Sequence, residues 1–105
     1  MTEYKKLVRD KIPDIIRDGG EVPNIRILES AEYFVHLDRK LDEEVAEFHA
    51  ERNLEELADI LEVVYALAEA GGHSREELLS VYEKKHETRG GFAEKIFLIS
   101  KEERG

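Results

Sequence analysis

The sequence contains no cysteine, which excludes disulfides and thiolate metal sites. It also lacks a long apolar run: the longest unbroken stretch, residues 63–68, falls far short of the ~20 residues that a membrane-spanning helix needs. The opening residues 1–6 carry no secretory pattern, so we expect a cytoplasmic protein without a membrane partner. Repeats and low-complexity segments are absent. A chain of 105 residues fits one domain, residues 1–105, with a thin core.

The charge balance is strongly acidic, with 25 Asp and Glu against 16 Lys and Arg and a net charge of −9. Such a surface repels the phosphates of duplex nucleic acid, so we do not expect duplex binding. An acidic protein can still bind a phosphorylated small molecule if a metal ion and a few cations neutralise the phosphates. The basic residues are grouped in that way, within residues 5–11 and 84–89.

Helix-start and helix-end signals predict two helices in the first half of the chain. Pro13 suits the start of a short helix that Gly19-Gly20 end. Residues 21–28 are predicted to form an extended connector. Ser30 is the predicted N-cap of a long helix that runs to about Arg52.

The second half predicts two further helices. Asn53 caps a helix that runs to Gly71-Gly72, and Ser74 with Glu77 forms a capping box for the last helix. The pattern of residues 92–99 fits either a strand or a short helix. We therefore predict an all-α fold, a four-helix bundle around a central antiparallel helical hairpin.

The third predicted helix carries two apolar stripes. The leucine stripe, with Leu57 and Leu61, is predicted to pack inside the hairpin. The other stripe is apolar except for Asp59 and needs separate cover, which a second copy of the chain can supply. We therefore expect a homodimer or homotetramer with this second stripe at or near the interface, at Val63, Ala66 and Ala70.

Two acidic motifs stand in the two helices of the predicted hairpin. They are Glu43-Glu44-Val45-Ala46-Glu47 and Glu56-Leu57-Ala58-Asp59. In each motif two acids three residues apart share one helical face. The pairs Glu44 with Asp59 and Glu47 with Glu56 have the same sum of residue numbers, as neighbours across an antiparallel hairpin must. Four carboxylates can therefore converge at one level.

Clustered carboxylates repel one another unless a cation lies among them. An all-oxygen site of this kind suits Mg²⁺, with Mn²⁺ as a second possibility. The alternative is that the acids form a solvated face, as acids on helices commonly do. Asp59 argues against that alternative, because it interrupts an apolar stripe and an unpaired buried carboxylate is costly.

Phosphate binding also needs cations. Lys85 and Arg89 lie one helical turn apart and can face one ligand, although they can equally be a surface pair at a helix C-terminus. Gly90-Gly91 can end the helix or let the backbone approach a phosphate. The basic residues that precede the first helix can steer phosphate or form a solvated tail: Lys5, Lys6, Arg9 and Lys11.

The opening, residues 6–16, resembles the KLVRDKIPEII opening of a branch of the MazG-like all-α NTP pyrophosphatase superfamily. The resemblance continues over nearly the whole chain, through both acidic motifs and on to Lys85 and Arg89-Gly90-Gly91-Phe92. Acids of the Glu-Glu-x-x-Glu and Glu-x-x-Asp motifs bind Mg²⁺ in that superfamily. The resemblance thus implies five metal-site acids: Glu43, Glu44, Glu47, Glu56 and Asp59.

The function that this resemblance implies is hydrolysis of a nucleoside triphosphate to the monophosphate and pyrophosphate, which would clear non-standard nucleotides. The metal ion would bridge the phosphates, and Glu44, or else Glu43, would deprotonate the attacking water. Lys85 and Arg89 would hold the departing pyrophosphate, with Arg9 and Lys11 as further phosphate ligands. The alternatives are a phosphoribosyl-ATP pyrophosphohydrolase and a non-catalytic helical interaction module.

Overall fold

A computed structural model describes residues 3–104. These residues form four helices and no strand, so the predicted all-α class is confirmed. None of the helices is long and apolar enough to cross a membrane. Their bounds lie within one or two residues of the predicted ones: α1 is Ile12–Asp18, α2 is Ser30–Glu51, α3 is Leu54–Ala70 and α4 is Arg75–Arg89.

The reversal between α2 and α3 takes only two residues. Arg52 ends α2 in the left-handed region, with φ 56°, and its backbone N–H donates to the Phe48 carbonyl at 2.8 Å. Asn53 then caps α3 as predicted, because its side-chain oxygen accepts a hydrogen bond of 3.0 Å from the Glu56 N–H. This short turn makes α2 and α3 an antiparallel hairpin, and the two helices pack against each other.

The start of α2 differs from the prediction. Glu29 is the N-cap residue and Ser30 is the first residue of the helix, and no side chain caps this end. The first turn is joined to the connector instead by Arg26, whose two guanidinium nitrogens donate to the Glu32 carboxylate at 2.8 and 3.3 Å. The capping box of α4 is present as predicted, with Ser74 and Glu77 bonded reciprocally.

The face of α3 that packs on α2 is the opposite of the predicted one. Val63 is buried, and it lies one turn beyond Asp59 on the side that faces α2, where Leu37 is buried too. The side chains of Leu57 and Leu61 are 45% and 48% exposed. Val63 is therefore covered within one chain and offers little surface to a second copy, and the position of an interface between copies stays a prediction. Periodicity locates two stripes but does not say which one meets the neighbouring helix.

In a single chain the helices do not close around one core. Among the described residues α4 packs only on α3, where the Arg75 guanidinium stacks 3.9 Å above the Tyr65 ring, and α1 packs on no other helix. The chain measures 69 × 32 × 21 Å and its radius of gyration is 18.9 Å, whereas a compact chain of this length has about 13 Å. The structure is thus a hairpin with extended arms.

The C-terminal arm, residues 92–99, is neither of the two predicted alternatives. It has no helix or strand, and its apolar side chains are almost fully exposed, at 97% for Phe92 and 89% for Ile99. Exposed apolar surface of this size is unusual for a protein that acts alone.

Replacing Asn53 by alanine should lower the free energy of unfolding by about 1 kcal/mol, because the exposed N–H of Glu56 loses its only side-chain acceptor. Ser30→Ala is the matched control and should change stability by less than about 0.5 kcal/mol, because Ser30 makes no capping bond. Urea unfolding at one fixed protein concentration measures both. Equal losses in the two variants would contradict the assigned caps.

Candidate metal centre

Three carboxylates converge across the hairpin. Glu44 projects from α2, and Glu56 and Asp59 project from the first turns of α3. One oxygen of each lies within 4.8 Å of the other two, and all three residues are half-buried. The convergence follows from the two-residue turn, which sets residues 44 and 56–59 at the same level.

The donor set fits a hard divalent cation. All three donors are carboxylate oxygens, the ligands that Mg²⁺ and Mn²⁺ prefer. Adjacent ligands of an octahedral Mg²⁺ stand about 3 Å apart and opposite ligands about 4 Å, so oxygens that lie within 4.8 Å of one another would have to draw closer by side-chain rotation to share one ion. Water and substrate oxygens would complete the remaining positions.

The electrostatics of the cluster also favour a cation. Burial raises the pKa of the Glu56 carboxyl, and the negative charges of Asp59, Glu47, Glu44 and Glu51 raise this pKa further. The ionised form of Glu56 is therefore destabilised by the neighbouring carboxylates. A positive ion among these oxygens would remove that repulsion.

One cation of the chain already reaches the centre. The Arg9 guanidinium donates to Asp59 Oδ1 at 2.9 Å and so joins the N-terminal segment, residues 3–11, to α3. Arg9, predicted to bind phosphate, thus lies beside the acids. Lys11 is exposed at the start of α1 and makes no ion pair or side-chain hydrogen bond with any residue from 3 to 104.

A second cation of the centre, Lys40, was not predicted from the sequence. Lys40 Nζ lies 3.4 Å from Glu43 Oε1 and 3.5 Å from Glu44 Oε1. The Lys40 and Glu44 side chains are only 18% and 13% exposed, so this contact is shielded from water. The spacing of Lys40 from the two glutamates, three and four residues, was a signal for it. Glu43 contacts this lysine and is not one of the three converging acids.

Beside the acids lies a small pocket of about 150 Å³, here called the cationic pocket. Lys40 lies at its edge toward Glu44, and the pocket opens between the N-terminal segment and α2. Its lining is mostly basic: Lys5, Lys6, Leu7, His36, Arg39, Lys40 and Glu43.

The other predicted site residues do not converge with these three. Glu47 is exposed and is not one of the converging acids, but it is near enough for its charge to raise the pKa of Glu56. Lys85 and Arg89 face a separate groove of about 570 Å³ at the end of α4, which none of the predicted metal-site acids lines. A single chain therefore does not bring this basic pair to its own acidic centre.

The chain has a partial likeness to a known protein. An uncharacterized protein of Mycolicibacterium smegmatis (strain ATCC 700084 / mc(2)155) is 58% identical over 45 residues, which are 43% of this chain and 46% of that protein. The matched part thus spans less than half the length of that relative. No protein-family model and no solved structure matches the chain.

Glu56→Gln should raise the melting temperature of the metal-free protein by a few degrees, because it removes one charge from the repelling cluster. The same change should abolish most of the stabilisation that millimolar Mg²⁺ gives, because one ligand oxygen loses its charge. Glu55→Gln, the exposed neighbour outside the cluster, is the control and should retain the Mg²⁺ effect. Thermal scans with chelator and with Mg²⁺ measure both effects. Equal Mg²⁺ stabilisation in the two variants would exclude Glu56 as a ligand.

Proposed function

We propose that this protein is a Mg²⁺-dependent nucleoside triphosphate pyrophosphohydrolase that releases the monophosphate and pyrophosphate. The observation that carries the proposal is the convergence of the Glu44, Glu56 and Asp59 carboxylates beside the Arg9 and Lys40 cations. An all-oxygen cation site next to basic side chains suits a ligand that is itself a polyphosphate.

The position of each residue of the centre suggests its role in the proposed reaction. Glu44, Glu56 and Asp59 would hold a Mg²⁺ ion, which would supply positive charge against the phosphates. Glu44, with Glu43 as the alternative, removes the proton of the attacking water. Arg9 is placed to exchange its contact with Asp59 for one with a phosphate oxygen. Hydrolysis at the α-phosphorus then releases pyrophosphate.

The physiological substrates in this proposal are non-standard nucleotides, which the resemblance of the opening and of the acidic motifs to the MazG-like superfamily supports. Phosphoribosyl-ATP is the alternative substrate, and it has the same phosphate chain. A non-catalytic helical interaction module is the alternative in which no nucleotide is hydrolysed.

The proposal includes self-association, as a homodimer or homotetramer. The chain exposes 9860 Å² of surface, whereas a compact monomer of 12.1 kDa exposes about 6000 Å². The difference, about 4000 Å² on one chain, exceeds the roughly 1000–2500 Å² that each partner of an obligate interface buries, so the surface is large enough for such a contact. A second copy of the chain is the occupant that removes this excess most simply, because symmetric self-pairing covers both copies at once.

Two apolar surfaces are available for the contact between copies. One is the outward leucine stripe of α3, Leu54, Leu57 and Leu61, and the other is the C-terminal arm. In such an assembly Lys85 and Arg89 can contact a phosphate bound at the acidic centre of a neighbouring subunit. They do not reach the acidic centre of their own chain.

A panel of nucleotides tests the chemistry directly. With Mg²⁺ or Mn²⁺, the protein should release pyrophosphate and a monophosphate from at least one triphosphate, and excess chelator should stop the reaction. Faster turnover of phosphoribosyl-ATP than of any triphosphate would favour the alternative substrate. Full activity after rigorous chelation would exclude the metal mechanism. If no nucleotide of the panel were hydrolysed, the non-catalytic interaction module would be the remaining alternative.

Glu44→Gln should lower turnover about 10²–10⁴-fold, because the amide keeps the size but can neither accept the proton nor supply the charge. Asp42→Asn, an exposed acid two residues away on α2, should turn over at the wild-type rate. Initial rates with saturating substrate, and circular dichroism to check the fold, give the comparison. Near-normal turnover of Glu44→Gln would refute its assignment.

Sedimentation equilibrium at micromolar concentration should give a multiple of 12.1 kDa for the wild-type chain. Leu61→Glu places a charge in the outward leucine stripe and should shift the mass toward that of one chain. Ser80→Glu adds the same charge on an exposed position of α4 and should leave the assembly intact. An active wild-type monomer would end the proposal of self-association.

A further inference from the structure

We infer that the cationic pocket is the binding site for the terminal phosphate groups of the substrate, the part that leaves as pyrophosphate. This inference rests on the proposed function, and it locates the site where the leaving pyrophosphate binds. It is carried by the lining of the pocket, where four basic side chains surround a concavity that has one carboxylate: Lys5, Lys6, Arg39 and Lys40 against Glu43.

The charge of this pocket is opposite to that of the protein as a whole. The chain has a net charge of −9, yet basic groups outnumber acids around this cavity. Two of the basic groups already have carboxylate partners, since Lys5 lies 3.6 Å from Glu3 and Lys40 lies 3.4 Å from Glu43. Arg39 makes no ion pair or side-chain hydrogen bond within residues 3–104, so its planar guanidinium is available for phosphate oxygens.

The pocket is also joined to the acidic centre. Lys40 lines the pocket, and its ammonium group lies 3.5 Å from Glu44, one of the three converging acids. A phosphate chain whose α-phosphate lies at the acids therefore meets Lys40 next and the pocket after it. Lys40 is thus placed between the bond to be broken and the group that leaves.

The size of the pocket selects which part of a nucleotide can enter. Its volume of about 150 Å³ is below the ~300 Å³ at which pockets for drug-sized ligands begin. Phosphate groups fit this space and a nucleoside does not. The base and sugar therefore stay on the other side of the acids, and Lys85 and Arg89, which line a different groove, are not required for this contact.

Binding of inorganic pyrophosphate in the presence of chelator tests the pocket without the metal centre. Isothermal titration at low ionic strength should give a Kd that weakens about tenfold or more in Lys6→Gln/Arg39→Gln. Arg17→Gln is the control, because it removes an equal type of charge from α1, where Arg17 pairs with Asp14 outside the pocket. Orthophosphate should bind more weakly than pyrophosphate if the pocket recognises a phosphate chain. Amide resonances of residues 36–40 should shift on titration.

Kinetics with Mg²⁺ and a nucleoside triphosphate separate the two proposals. The double variant should raise KM about tenfold, and Arg17→Gln should not. Hydrolysis with unchanged KM and unchanged pyrophosphate binding in the double variant would overturn the pocket and leave the proposed function standing. Pyrophosphate binding that depends on Lys6 and Arg39, in a chain that hydrolyses no nucleotide, would support the pocket as a polyphosphate site and overturn the proposed function.

Discussion

The reversal at Arg52 and Asn53 is the constraint on which the acidic centre depends. Arg52 ends α2 in a left-handed conformation and Asn53 caps α3, so no linker residue is left to vary the register. Two helices that meet this closely must pair their residues in a nearly fixed order. Glu44 is therefore held opposite Glu56 and Asp59 by backbone geometry, before any ion contributes.

Charge is distributed unevenly around this hairpin. The acids meet at one level, Arg9 approaches from the N-terminal segment, and Lys40 approaches from the turn of α2 that precedes Glu43. Each cation lowers the cost of holding carboxylates together. In the proposed function the same side chains would also meet phosphate oxygens, so stability of the centre and affinity for the substrate would depend on one set of residues.

Local signals predicted the helices well and tertiary contacts poorly. Asn53 and the capping box of α4 act within four residues, so their sequence patterns were sufficient. The face of α3 was predicted wrongly because Leu61 and Val63 belong to stripes that are both apolar, and the choice between them is made by α2. The convergence of acids was expected from the hairpin register, whereas the contact of Lys40 with Glu44 was not predicted, although residues four apart share one helical face.

The elongated shape of the chain has a consequence for its motion through solvent. A particle 69 Å long and 21 Å across has a higher frictional coefficient than a sphere of the same mass. A single chain therefore diffuses as slowly as a larger globular protein. Elution volume on a sizing column would report the length of this molecule as much as its number of subunits.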